Sequence, residues 1–409
     1  MRGYRNFADP GSAKHVVDRL RRPRNFASGG LGSLLVMVVA SVLLAACGAP
    51  PTQEAEGGNG TEASDGAGQT GGGETVLADV NSEVEGLEGD ERRDKLAELA
   101  AEEGCELSFY TSTNVDESGP LTDAFTDAFD IDVALYRAGS ETIVQRVIEE
   151  GQANFPGADV VGTNGPEMTI MADEGMFAPL ETPITEDIAD FAVTDNWAGY
   201  YLQIMVPVWN TDRVTGDAVP QSWEDVLTYE GNLALEVGDW DWFATLMTYF
   251  TDEQGMSEEE ATDLFRQAAD GASVVDGHTL MTELLAAGEY DMTASSYQNR
   301  VPSLVADGAP ISWEPPVEPS IVRPNAIAVH RDTDCPATAL LFVEWTLTDG
   351  QSLLAELDYT PANTTVEGAF PEDVETILVD VEALIRERDK WEGLYEQIIQ
   401  ESGAQVIEE

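Results

Sequence analysis

Positive charge is what this 409-residue chain most lacks: 20 Lys and Arg stand against 77 Asp and Glu, a formal net charge of −57. Lysine itself is confined to Lys14, Lys95 and Lys390. A nucleic acid needs a cationic face for its phosphates, so no nucleic-acid partner is expected. Docking on an anionic membrane surface through protein charge is excluded for the same reason. Histidine is as scarce, with His15, His278 and His330. The last two are far apart in sequence and flank no ligand spacing, so no metal site is expected. No G-x-S-x-G elbow and no convincing Ser/His/Asp set occur, so the chain reads as a protein without chemistry of its own and without a cofactor. Carboxylate pairs carry no information in so acidic a sequence. A surface-exposed adhesion or sensing role is the competing class. No internal repeat is present.

What is there can fold. With 43% hydrophobic and 8% aromatic residues the chain can bury a substantial core, and its length fits about two domains. Most of the acids read as a solvated surface that stays soluble in concentrated salt, as in a saline or alkaline habitat.

Residues 2–24 carry seven Lys and Arg against Asp9 and Asp18, and residues 31–46 form an apolar run of 16. Such a run is short of the roughly 20 residues of a spanning helix. A basic region followed by a short apolar one is a secretory signal, read here as residues 1–46. It closes on Leu44-Ala45-Ala46-Cys47-Gly48, which resembles the bacterial lipobox, in which the cysteine is lipidated and becomes the mature N-terminus. Cys47 is therefore the expected lipidation site, and it would tie the protein to the outside of the cell membrane. The remaining pair, Cys105 and Cys335, is even in number in an oxidising compartment and is a disulfide candidate, with two buried thiols as the alternative. Residues 47–89 read as a lipidated N-terminus and a flexible acidic linker, rich in Gly, Ala, Thr, Glu and Pro over 48–80.

Beyond the linker, β and α patterns alternate. Residues 90–103 are helical; 107–110 read as a strand, 121–129 as helix, 131–136 as strand, 141–150 as helix and 158–161 as a buried strand. Ser222-x-x-Asp225 and Ser257-x-x-Glu260 are capping signatures, and Pro371 is expected to open a long helix to about Asp389. Alternation of this kind gives an α/β fold with a parallel sheet, whose ligands lie at the carboxyl ends of the strands.

In that order the segments 101–112, 136–149, 158–163, 175–180, 207–210, 222–225, 231–236, 324–328 and 344–351 resemble the extracellular solute-binding lipoproteins of bacterial ABC importers. The nearest group is that of the class II, ferric-ion-binding-like proteins. The resemblance covers about residues 90 to 365. It implies a periplasmic-binding-protein-like class II fold: two α/β lobes with a hinge and an interlobe cleft. Lobe 1 would comprise 90–205 and 315–409, lobe 2 residues 206–314, with crossovers near 203–210 and 313–323. The implied partners are a small-molecule solute, an ABC permease and its ATPase, the protein itself being a monomer.

Three polar loops follow successive strands: Thr111, Ser112, Thr113 and Asn114; Gly139 and Ser140; Thr163 and Asn164. Hydroxyls, amides and N–H groups at helix N-termini suit an oxyanion. In the second lobe Asp239, Trp240 and Trp242 are expected to offer aromatic faces with a carboxylate. Ser295, Tyr297, Asn299 and Arg300 resemble the family's second-lobe loop, with Arg300 available to an anionic group. Ferric binders use paired tyrosines there; this sequence has Tyr297 alone, and Asn114 and Asn164 stand where some members carry His and Glu. A small organic anion, phosphonate or amine is the expected solute, ahead of ferric ion. Alanine at Tyr297 or Trp240 is expected to abolish ligand stabilisation without unfolding the apo protein.

Overall fold

The structure is a computed structural model that describes residues 76–155, 157–368 and 373–408. Cys47, the signal segment, the expected linker up to residue 75 and Pro371 lie outside the described residues; residues 76–89, expected to continue the flexible linker, instead form the helix Ala78–Glu83 and bury Leu77, Val80 and Val84 in the first-lobe core.

Short apolar runs punctuated by amphipathic helices give the first three parallel strands. These are β1 (Leu107–Thr111), β2 (Val133–Arg137) and β3 (Val160–Asn164). β1 sits between the other two, pairing with each in parallel. Between them run the helices Val115–Phe129 and Ser140–Gln152, and Gly165–Asp173 follows β3. The 13 residues of β4 (Ala198–Asn210) are almost all buried, as expected of a strand covered on both faces. Then come β5 (Leu233–Glu236), β6 (Ser273–Val275), β7 (Met292–Tyr297), β8 (Ile311–Ser312) and β9 (Ser320–Val329). β10 (Thr360–Pro361), β11 (Thr376–Leu378) and β12 (Val406–Ile407) close the set.

The strands join in the order β12-β6-β5-β7-β4-β9-β3-β1-β2, with β8 and β10 on β4 and β11 on β9. β4 and β9 are antiparallel from Ala198↔Ile327 to Met205↔Ile321. Beyond that ladder β9 continues onto β3, and β4 onto β7. The two strands therefore belong to both halves of the sheet, and the fold divides into two α/β lobes about them. The second crossover lies a few residues later than the expected 313–323.

Each lobe has its own core. In the first, Phe109, Phe125, Phe342 and Trp345 interlock edge to face, with centroids 4.9–5.5 Å apart. In the second, Trp242 meets Trp223 and Phe265 edge-on, and Phe243 packs on Tyr395 and Trp391. Those last two residues correct the expected division. The helix Arg388–Ser402 buries Trp391, Tyr395, Ile398 and Ile399 in the second-lobe core, and β12 pairs with β6. The helix Arg388–Ser402 and β12 thus pack with lobe 2, not lobe 1, whereas the helix Val381–Arg386 also lies against the first-lobe helix Gly165–Asp173. The expected continuous helix to Asp389 is also replaced: β11 is followed by two helices, Val381–Arg386 and Arg388–Ser402. A helical spacing of apolar residues could not reveal that the chain pairs with β9 before it turns. Of the two capping signatures, Ser257 and Glu260 form a complete capping box, whereas Ser222 caps through its own hydroxyl.

The first lobe is fastened end to end. Cys105 and Cys335 form a disulfide across 230 residues of sequence. Next to it the Glu103 carboxylate accepts the Ala337 and Thr338 N–H groups at 2.7 and 2.9 Å and so caps the helix Pro336–Thr346. On the same helix Glu344 makes a buried ion pair with Arg92 at 2.7 Å. The chain-entropy model assigns a closed loop of this size up to about 5 kcal/mol. Replacing both cysteines by serine is therefore expected to lower stability by roughly 2–5 kcal/mol, read as a drop in the midpoint of reversible urea unfolding. An unchanged midpoint would remove this staple from the account of the fold.

Candidate functional site

The loops at the strand ends of the two lobes face one another across a cleft of about 120 Å³. Larger hollows lie elsewhere, one of about 610 Å³ beside Phe191 and Trp197 and one of about 350 Å³ beside Trp391. Neither gathers buried charge as the cleft does, so the chemistry, not the volume, identifies the site.

The first-lobe wall is built from three helix starts. Asn114, Gly139 and Asn164 are the N-cap residues of Val115–Phe129, Ser140–Gln152 and Gly165–Asp173, and none makes a side-chain capping bond. The two asparagines are engaged elsewhere. Asn114 donates to Thr279 Oγ1 and accepts from Arg137 Nη2, both at 2.8 Å. Asn164 donates to Ser140 Oγ and accepts from Asn325, both at 3.2 Å. The first-turn N–H groups of three helices are thus left without side-chain caps beside a guanidinium and two hydroxyls, those of Ser112 and Ser140. Glu167, in the first turn of the third helix, is buried with its Oε2 unpartnered. Burial pushes its pKa up to about 8 against the pull of Arg323, so it is a neutral acid near pH 7.

The second-lobe wall is acidic. Glu236 ends β5, Asp239 and Asp241 follow it, and Asp276 and His278 follow β6. Asp241 accepts from Arg323 Nη1 at 2.6 Å, and Arg323 Nη2 donates to the Tyr297 hydroxyl at 2.8 Å. The Tyr297 ring stacks on His278 with centroids 4.1 Å apart. Burial raises the Glu236 pKa to about 8, opposed by His278. Burial also disfavours the His278 imidazolium, but Asp239 and Glu236 outweigh it and lift its pKa above the ordinary value.

Of the residues read from sequence, Ser112, Thr113, Asn114, Gly139, Ser140, Asn164, Asp239, Tyr297 and Arg300 line the cleft. The others do not. Thr163 is fully buried and bonds Ser112 Oγ at 2.8 Å, holding it in place. Thr111 accepts the Thr113 N–H at 3.1 Å and shapes the loop. Ser295 is buried inside β7, and Asn299 lies outside the lining. Trp240 and Trp242 are core residues, so neither offers a face to a ligand, and alanine there would damage the apo fold itself. Arg300 reaches the cleft, but its guanidinium is held by Glu117 of the first lobe at 2.6 Å and by Glu283 at 3.3 Å. Sequence reading missed Arg137, Arg323 and Glu167, and singled out Glu236 and Asp241 only as carboxylates flanking the tryptophans. Arg137 ends β2 and Glu167 lies in the first turn of the helix after β3, whereas Arg323 lies inside β9. Sequence reading also discounted His278, which the fold brings to Glu236 and Asp239.

A profile of bacterial extracellular solute-binding proteins matches residues 121–376. The chain belongs to this family. Its members bind solutes for ABC importers and are not enzymes, and the protein is accordingly an extracytoplasmic solute-binding component of such an importer. No curated protein matches in sequence. Among solved structures, iron-bound HitA from Pseudomonas aeruginosa is 17% identical with a TM-score of 0.60, over 72% of this chain and 99% of its own. AfuA from Actinobacillus pleuropneumoniae, with fructose-6-phosphate bound, is 19% identical at 0.61, over 72% and 97%. MotA from A. tumefaciens B6, in complex with glucopine, is 14% identical at 0.59, over 72% and 100%. These establish a shared two-lobed fold. Among the described residues no helix is long and apolar enough to cross a membrane.

Glu167 gives this binding protein a testable pH signature. Its carboxyl is protonated in the fold and ionised in the unfolded chain above about 4.5, so folding takes up a proton. Stability from this group is lost as pH rises from about 4.5 to about 8. Glu167→Gln stays neutral and should gain melting temperature relative to the parent between about pH 5 and about pH 8.5. The surface acids cancel in that difference. A gap that does not change with pH would show that the residue is ionised in the fold.

Proposed function

We propose that the protein captures a small organic solute bearing an oxyanionic group, a carboxylate, phosphate or phosphonate, and delivers it to an ABC permease. The observation that carries this reading is the set of three helix N-termini, two with N-cap asparagines whose side chains are spent elsewhere and one with Gly139 at the cap, converging with Ser112, Ser140 and Arg137. Backbone donors fixed at helix starts complement negative charge without reorganising. The neutral Glu167 carboxyl adds a donor where an ionised acid would repel. The ferric reading draws less support. Asn114 and Asn164 are amides already engaged, and Tyr297 accepts from Arg323. Solutes named for the similar structures include a sugar phosphate and an opine as well as iron, which supports a fold that accepts varied chemistry.

Thermal shift against carboxylates, phosphonates, phosphorylated sugars, polyamines and ferric citrate tests the reading. A solute at 100 times its Kd stabilises by about 2.7 kcal/mol, so a bound oxyanion should raise the midpoint clearly. Ser140→Asp, which puts a carboxylate at the second helix start, should weaken that solute at least tenfold. A shift from polyamines or ferric citrate with none from any oxyanion would refute it.

The protein is further proposed to be a monomer held at the outer face of the cell membrane by lipid on Cys47. The lipobox-like run ending at Cys47 supports this, and the acidic surface fits a saline habitat. Cys47→Ser should move the protein from the detergent-extractable membrane fraction to the soluble one. Retention of the variant on membranes would dismiss the anchor.

A further inference from the structure

We propose that Glu236, Asp239 and His278 form a site for a divalent transition-metal ion on the second-lobe wall of the cleft. The ends of two adjacent parallel strands build it. Glu236 is the last residue of β5, Asp239 follows three residues on, and His278 begins the helix after β6. One donor atom from each lies within 4.8 Å of the other two. Ligands about 2.1 Å from a common ion stand roughly 3–4 Å apart, so side-chain movements of about 1–2 Å close the set.

The site is poised for a cation and does not satisfy itself. All three residues are more than nine-tenths buried. Asp239 Oδ1 is 3.0 Å from His278 Nε2, yet that nitrogen lacks the alignment of a hydrogen bond, and Asp239 Oδ2 has no partner at all. Two carboxylates and an imidazole buried together are costly unless something compensates them. The nearby Arg323 does not, because its guanidinium is committed to Asp241 and Tyr297.

The surroundings fix the donors as an outer shell of a metal site would. Glu236 accepts the Gly238 N–H at 2.7 Å on one oxygen and the Gly277 N–H at 3.1 Å on the other. The imidazole plane is set by stacking on Tyr297. One nitrogen and two carboxylate donors suit zinc, manganese, cobalt or nickel. They are too few and too mixed for calcium, which takes six to eight oxygens. Three protein ligands leave coordination positions open toward the cleft, where an oxyanion held by the first lobe would complete the shell. These positions are distinct from Asn114, Asn164 and the Tyr297 loop, to which the family resemblance assigns metal ligands.

The test is a titration of the chelator-treated full mature chain with Co2+ in millimolar Mg2+, which occupies the hard surface carboxylates. The expected result is a visible cobalt absorption band that saturates at one equivalent and is bleached by Zn2+. His278→Ala and Asp239→Asn should each weaken it at least 100-fold. Glu236→Gln, closest in shape, guards against a folding artefact, and circular dichroism checks every variant. No saturable band, or a band that survives in all three folded variants, overturns the site. Solute binding measured by thermal shift is a separate readout, so loss of the metal site leaves the oxyanion reading standing.

Discussion

Everything in this molecule depends on the ladder between β4 and β9. Two antiparallel strands, paired from Ala198↔Ile327 to Met205↔Ile321, carry the chain from one lobe to the other and back. Because each then continues into a different half of the sheet, the strand-end loops of the two lobes are brought face to face. The ladder also delivers side chains to the junction. Gln203 from β4, and Arg323 and Asn325 from β9, line the cleft floor. A hinge that holds its own polar groups in the site links lobe position to the geometry of what is bound.

The two walls differ in character. The first presents helix starts, hydroxyls, Arg137, Glu141 and a neutral Glu167; the second presents Glu236, Asp239, Asp241 and Asp276 with His278 and Arg300. A solute that satisfies only one wall has no reason to draw the lobes together, since a ligand shifts a conformational equilibrium only by its differential affinity for the two states.

The alternating β and α patterns of the first lobe were legible because it keeps local periodicity. The strands near 107, 131 and 158 and the helix expected over 141–150 are found within about three residues of their expected bounds, whereas the helix expected over 121–129 begins six residues earlier, at Val115. The polar loops after those strands were legible for the same reason, since they follow from topology. The second lobe was not. Trp240 and Trp242 next to carboxylates look alike whether they face solvent or a core, and only the packing of Trp223, Phe265 and Tyr395 around this helix decides it. His278 looked isolated because its partners are about 40 residues away, across a strand pairing that no spacing rule encodes. The C-terminal helix was misassigned because an apolar helical face says that it packs, not on which lobe.

Closure itself has contacts that do not involve a solute. Arg300 on the second lobe pairs with Glu117 on the first at 2.6 Å, and Asn114 donates to Thr279 across the same gap. The ion pair is largely buried, so its Coulombic gain is offset by the desolvation of both charges, and its net contribution to closure is small. Its value lies in orientation: a guanidinium and a carboxylate that meet in one geometry fix how the lobes register. This also accounts for Arg300 being a poor candidate for a ligand contact. A residue that both gripped the solute and latched the lobes would have to leave Glu117 buried and unpaired whenever the solute was bound, at a cost of several kcal/mol.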